Sequence, residues 1–150
     1  RNHLLPETSV EDSVSIRAIK RIYSDETSIS FDQCPDPFEI YKIGMGQAKG
    51  NKNAALKAFE ITGQILGKAI ADFVAFSSPE AVFLFGGLAL AGDFIFSPTK
   101  TYMEENMCFL YSNKVKLLPS ELDGAKIAIL GASAVVWKEL ELKAETSNMV

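Results

Sequence analysis

Pro79-Glu80-Ala81-Val82-Phe83-Leu84-Phe85-Gly86-Gly87 is the stretch on which the fold turns. Its apolar run, Ala81 to Phe85, does not alternate with polar residues. It therefore reads as a strand covered on both faces, the kind found in parallel sheets flanked by helices. Ser78-Pro79 stops whatever precedes it, and Gly86-Gly87 ends it. In open α/β sheets, ligands bind beyond the carboxyl ends of the strands, which is where these two glycines fall. Glycine permits positive φ and lets a backbone come close to a ligand. Backbone N–H groups leading into a following helix can meet a phosphate. Gly92-Asp93 extends the same loop. By spacing alone, the glycine pair also reads as a tight turn packed under a helix.

Upstream, the pattern predicts a long helix from near Asn51 to about Ser77. Ala55, Phe59, Leu66, Ile70 and Phe73 form its apolar seam, and Glu60, Gln64, Lys68 and Asp72 form the opposite row. Gly63 and Gly67 sit within it, each costing about 1 kcal/mol relative to Ala. Their expected use is to let another backbone approach. Further upstream, a helix is predicted from Val10 to Tyr23, with Arg17, Lys20 and Arg21 as its solvated face. Ser24 to Pro37 is a connection rich in turn formers. Asp36 then caps a helix that begins at Pro37, carries Phe38, Ile40, Tyr41 and Ile43, and is ended by Gly50.

Downstream, Ser97-Pro98 signals a helix start, with Tyr102, Met103, Met107 and Leu110 following at helical spacing. Lys114 to Leu118 reads as a second strand with Val115 and Leu117 on one face. The order strand, helix, strand predicts parallel pairing through a right-handed crossover. A last helix is predicted from Ala125 to Leu140, with a polar, frayed tail from Lys143. Trp137, Met103 and Met107 read as packing residues, and Glu104, Glu105, Glu139 and Glu141 as solvated helix faces.

The 150 residues are one domain's worth, and 47% are hydrophobic, enough to bury a core. A formal charge of −4 disfavours nucleic-acid binding, which usually needs a basic face. No apolar run is long enough to span a bilayer, and the start does not read as a signal peptide. Cys34 and Cys108 form no CxxC pair, so they suggest neither a zinc knuckle nor a redox motif and suit a reducing cytoplasm. His3 is the single histidine. There is no P-loop, no GxGxxG and no nucleophile–His–Asp trio.

Phe59-Glu60-Ile61-Thr62-Gly63-Gln64-Ile65-Leu66-Gly67 resembles the long helix of ROK proteins, the family of repressors and sugar kinases that includes bacterial glucokinases. Gly50-Asn51 falls where that family often has Gly-Asp. Pro79 to Gly87 looks like its Pro-Glu, apolar strand, Gly-Gly element, and Gly92-Asp93 and Pro98 follow at the usual places. Ile129-Leu130-Gly131-Ala132-Ser133-Ala134 is similar to its closing helix. The match runs from about Gly50 to Trp137.

The resemblance implies an α/β fold, the C-terminal half of an actin-like (ribonuclease H-like) ATPase domain with parallel strands flanked by long helices. Residues 1–49 would be a helical lead-in, 50–140 the core of a single lobe and 141–150 a tail. Two such lobes clasp ATP, with the sugar in the cleft. Gly86, Gly87, Leu88 and Gly92 would border the nucleotide, and Leu88 stands where the family usually shows a third glycine. Ser9-Val10-Glu11 echoes the family's Cys-Leu-Glu, which makes Glu11 a candidate sugar ligand; the other reading is a carboxylate favoured by the helix dipole. The family's phosphate loop, catalytic aspartate and cysteine-rich zinc motif lie before this region. The resemblance thus implies a piece of an ATP- and Mg2+-dependent kinase of a glucose-like hexose, with no catalytic base or metal site of its own. It further implies a missing N-terminal lobe, a homo-oligomer in the cytoplasm, and no membrane or direct nucleic-acid contact. The alternatives are the sugar-sensing domain of a ROK repressor and a ligand-free dimerisation domain.

Overall fold

The computed structural model describes residues 9–121 and 124–147. Two compact units divide at Pro119 and Ser120. The first holds the elements up to the second strand.

The expected helix from Val10 to Tyr23 is two helices, α1 (Val10–Ser13) and α2 (Ile16–Thr27). The break has a local cause. Ser15 takes an extended conformation, and its Oγ accepts from Ala18 N at 3.3 Å, so it starts a helix instead of continuing one. Ser9 and Asp12 form a capping box on α1, with Asp12 N donating to Ser9 Oγ at 3.3 Å and Ser9 N donating to Asp12 Oδ2 at 3.1 Å. Helix α3 (Pro37–Met45) starts as predicted, with Glu39 N donating to Asp36 Oδ1 at 2.8 Å. It ends at Gly46, whose φ is 76°, and not at Gly50. Gly50 serves packing: a Cβ there would lie 2.6 Å from Ile43 Cδ1.

Helix α4 (Lys52–Ser77) is the predicted long helix, capped by Asn51, whose Oδ1 accepts from Ala54 N at 3.1 Å. Its glycines do admit another backbone, that of helix α5 (Asp93–Asn106). A Cβ on Gly63 would lie 2.6 Å from Pro98 Cγ, and one on Gly67 2.5 Å from Thr99 O. The expected start of this helix at Ser97-Pro98 is wrong. The chain turns at Gly92 (φ 55°, ψ −133°), so the helix begins at Asp93 and Pro98 lies inside it. Pro98 forfeits one backbone hydrogen bond, and its ring packs on the bare face of Gly63.

Strands β1 (Ala81–Leu84) and β2 (Lys116–Pro119) pair in parallel, Ala81 opposite Lys116 and Leu84 opposite Pro119. Val115 and Leu117 share one face, as expected, although β2 starts later than the pattern suggests. One side of the sheet is covered: Val82, Leu84, Val115 and Leu117 pack with Ile70, Val74 and Met103. The reading of β1 as buried on both faces fails, because Phe83 is 60% and Phe85 65% exposed. Phe73 is likewise 62% exposed, and Val74 closes the helix seam in its place. A second core joins α2, α3 and the first half of α4 through Ile19, Ile22, Tyr23, Ile40, Ile43 and Phe59, with Ile95 of α5.

The second unit is helix α6 (Gly124–Ser147), which runs past both Leu140 and Lys143. Trp137, expected as packing, is exposed on it. Among the described residues no helix is long and apolar enough to cross a membrane.

Candidate functional site

Beyond Leu84 the backbone bends at Gly86, whose φ is 94°, and Ala89 N donates to Gly86 O at 3.1 Å. Residues Ala89–Ala91 make a short 3-10 turn, and Gly92 opens α5. Gly86 and Gly92 hold backbone conformations that L side chains rarely adopt, although nothing lies within 4 Å of either would-be Cβ. Gly87 is different. Its φ is not positive, and a Cβ there would meet Ile16 Cγ2 at an ordinary 3.6 Å. Leu88 has φ −69° and ψ −38°, and its side chain packs against the α2–α3–α4 core. No backbone strain at position 88 demands glycine.

Gly87 and Leu88 line a cavity of about 500 Å³. Ile16 and Ile19 of α2, Phe38 and Tyr41 of α3 and Phe59 of α4 supply the other walls, and Asp36 joins them at the start of α3. The rings are braced against each other. Phe38 and Tyr41 stack at 6.4 Å between centroids, while Tyr41 meets Phe59 edge-on at 6.3 Å and Phe94 at 5.5 Å. An apolar, aromatic cavity with few polar groups, at the carboxyl end of a parallel strand, suits a flat organic ring.

The remaining sequence-predicted residues do not share that cavity. Gly92 lines a separate hollow of about 380 Å³ with Ser97, Lys100, Leu117 and Pro119. Gly86 shapes the turn without lining either. Glu11 is exposed in the first turn of α1 and lines neither cavity. Conversely, Asp36, Phe38 and Tyr41 read in the sequence only as a cap and an apolar helix face. The one available hint was the aromatic pair directly behind the cap, and periodicity assigns such a pair to the core.

A zinc centre, which the family resemblance places upstream of this region, does not fit the described residues. Ser9 stands at the cysteine position, and its Oγ donates to Asp12 Oδ2 at 2.8 Å within the capping box. Cys34 is buried beside α2 and donates to Lys20 O at 3.6 Å, whereas Cys108 is exposed in the loop after α5. Burial pushes the Cys34 thiol above its usual range, with Lys20 opposing. Among the described residues no three His, Cys, Asp or Glu side chains converge as a metal would require.

Parallel strands joined through a helix, with a glycine turn and a ring-lined cavity beyond the strand end, together define an α/β domain. The chain belongs to the ROK family, which it matches over residues 7–139. Among solved structures, it is similar to a glucokinase from Parabacteroides distasonis, at 23% identity and a TM-score of 0.78, over 89% of this chain and 47% of that one. It is also similar to a ROK family glucokinase from Streptomyces griseus solved with glucose and AMPPNP, at 18% identity and a TM-score of 0.69, over 84% of this chain and 43% of that one. The chain therefore spans less than half the length of these kinases and shares their fold over that part. No curated protein matches it in sequence.

Proposed function

We propose that this chain is the C-terminal lobe of an actin-like ATPase domain in a sugar kinase, and that the cavity at Gly87-Leu88 receives the adenosine of ATP. The observation that carries this reading is the cavity of about 500 Å³ between α2, α3 and the glycine turn, within a ROK family chain. The Streptomyces griseus neighbour, solved with glucose and AMPPNP, supports it. The whole protein would transfer the γ-phosphoryl group of ATP to a hydroxyl of a glucose-like hexose in the cytoplasm, as a homo-oligomer.

Phosphoryl transfer depends chiefly on positioning and charge neutralisation. In this reading the chain's residues do the first. Ile16, Phe38, Tyr41 and Leu88 hold the base out of water, and the turn from Gly86 through Gly92 brings backbone close to the sugar and phosphates of the nucleotide. Mg2+ supplies charge neutralisation when bound with ATP. The other lobe contributes the phosphate loop and the aspartate base, and Glu11 reaches the hexose hydroxyls.

The test is calorimetric titration of ATP into the full-length protein and its Gly87→Val variant. The added branched side chain points at Ile16 and narrows the cavity. Crowding of this kind costs about 1–3 kcal/mol, so ATP affinity should fall by about 5- to 150-fold, with melting temperature and sugar affinity little changed. An unchanged ATP affinity in a stably folded variant refutes the assignment. The 150-residue chain alone should show no sugar-dependent ATP consumption, and turnover by it would contradict the placement of the base elsewhere.

A further inference from the structure

We propose that the second half of α4 is the contact face of a two-fold dimer, in which α4 packs antiparallel against α4 of a second copy of this chain. The inference does not depend on the nucleotide reading. One face of α4 recurs at steps of three and four through Ala58, Thr62, Ile65, Ala69, Phe73 and Phe76. Its first half is covered: Ala58 lies in the core shared with α2 and α3, and Thr62 is fully buried. The cover then ends. Ile65 and Ala69 are half-buried, Phe73 is 62% exposed and Phe76 is 95% exposed. Phe109 and Leu110 are also exposed, in the loop that a 2.6 Å hydrogen bond between the Tyr111 and Ser78 hydroxyls ties to the end of α4.

The area suits a second copy. At roughly 200 Å² per phenylalanine, the exposed parts of Phe73, Phe76 and Phe109 come to about 500 Å² per copy. Two copies reach about 1,000 Å², the size from which a stable interface is expected. Ala69, small and in the middle of the stripe, lets two helices approach closely. The charges are self-complementary as well. Lys68 and Asp72 flank the same side of the stripe, one turn apart, and both are exposed. Among the described residues neither forms an ion pair within the chain. A two-fold rotation at the level of residue 70 reverses the helix and keeps that side, so Lys68 of each copy meets Asp72 of the other.

Sedimentation velocity of the full-length protein should show a dimer at micromolar concentration. Phe76→Asp should raise its dissociation constant by about 30-fold or more, as loss of a central aromatic anchor does. Its helical circular dichroism should hold, because Phe76 packs on nothing within the chain. A monomeric parent overturns the proposal, and so does a Phe76→Asp protein that dimerises like the parent. If Phe76→Asp fails to fold, the face is covered from within the same protein and the proposal fails too. Charge reversal tests the antiparallel pairing. Each exposed ion pair is weak, but symmetry doubles it, so Asp72→Lys should weaken the dimer by about tenfold. Adding Lys68→Asp to that variant swaps the charges and should restore the parent affinity. A double variant no tighter than Asp72→Lys alone overturns the α4–α4 contact.

Discussion

Gly67→Ala places a single methyl group where two helices touch. On an isolated helix the change is favourable by about 1 kcal/mol, because alanine loses less backbone freedom than glycine. Here the new Cβ would lie 2.5 Å from Thr99 O, 2.7 Å from Met103 N and 3.0 Å from Tyr102 Cβ. Two of these are backbone atoms of α5, so no rotamer change relieves them. The helices must separate, which loosens Met103, Ile70 and Val74 in the core beneath the sheet. Overpacking of this sort costs about 1–3 kcal/mol, and with unyielding backbone the upper part of that range applies. Subtracting the propensity gain leaves a net loss of about 1–2 kcal/mol. At about 4 °C per kcal/mol for a domain of this size, the melting temperature should drop by about 4–8 °C. Thermal unfolding followed by circular dichroism measures this, with Lys68→Ala on the exposed side of α4 as a control expected to change little. Gly63→Ala should cost less, because its closest contact at 2.6 Å is the Pro98 ring, which can pucker. A Gly67→Ala protein that melts at or above the parent temperature refutes close α4–α5 packing as the reason for the glycines.

The glycine turn should separate by conformation: Gly86→Ala, at φ 94°, should lose about 1 kcal/mol to strain despite the open space around it, while Gly87→Ala should be near neutral in stability. Equal melting temperatures for the two variants would contradict the backbone assignment. The thiols should separate by burial: iodoacetamide should label exposed Cys108 in the native protein and reach Cys34, 5% exposed, only after unfolding. Because burial raises the folded-state pKa of Cys34 above its ordinary value of 9.0, against the opposing Lys20, its contribution to stability is fully present below pH 9.0 and is lost as pH rises through the higher folded value. Cys34→Ala should flatten that alkaline decline in melting temperature, and an unchanged slope would show that the thiol does not drive it.

The sequence by itself determined the features whose physics is local. Asp36 announced its helix because a side-chain oxygen can satisfy the N–H three residues on. The seam of α4, the helix-breaking Ser78-Pro79 and the glycine turn after β1 were legible for the same reason, and so was parallel pairing of β1 with β2 from the order of elements. Local signals misled where two were in competition. Ser97-Pro98 looks like a helix start, yet Gly92 had already turned the chain, and the Pro98 ring found its place against Gly63. The apolar run from Ala81 looked two-sided, but α4 and α5 cover only one face, so Phe83 and Phe85 stay exposed. Only the tertiary structure decided the cavity. Ile16, Asp36, Phe59 and Leu88 lie on four separate elements, and no period in the sequence links them. Their meeting follows from how α2, α3 and α4 pack around a shared core. Packing of that kind depends on the shapes of all three helices at once, whereas caps, turns and periodicity depend on a few neighbouring residues.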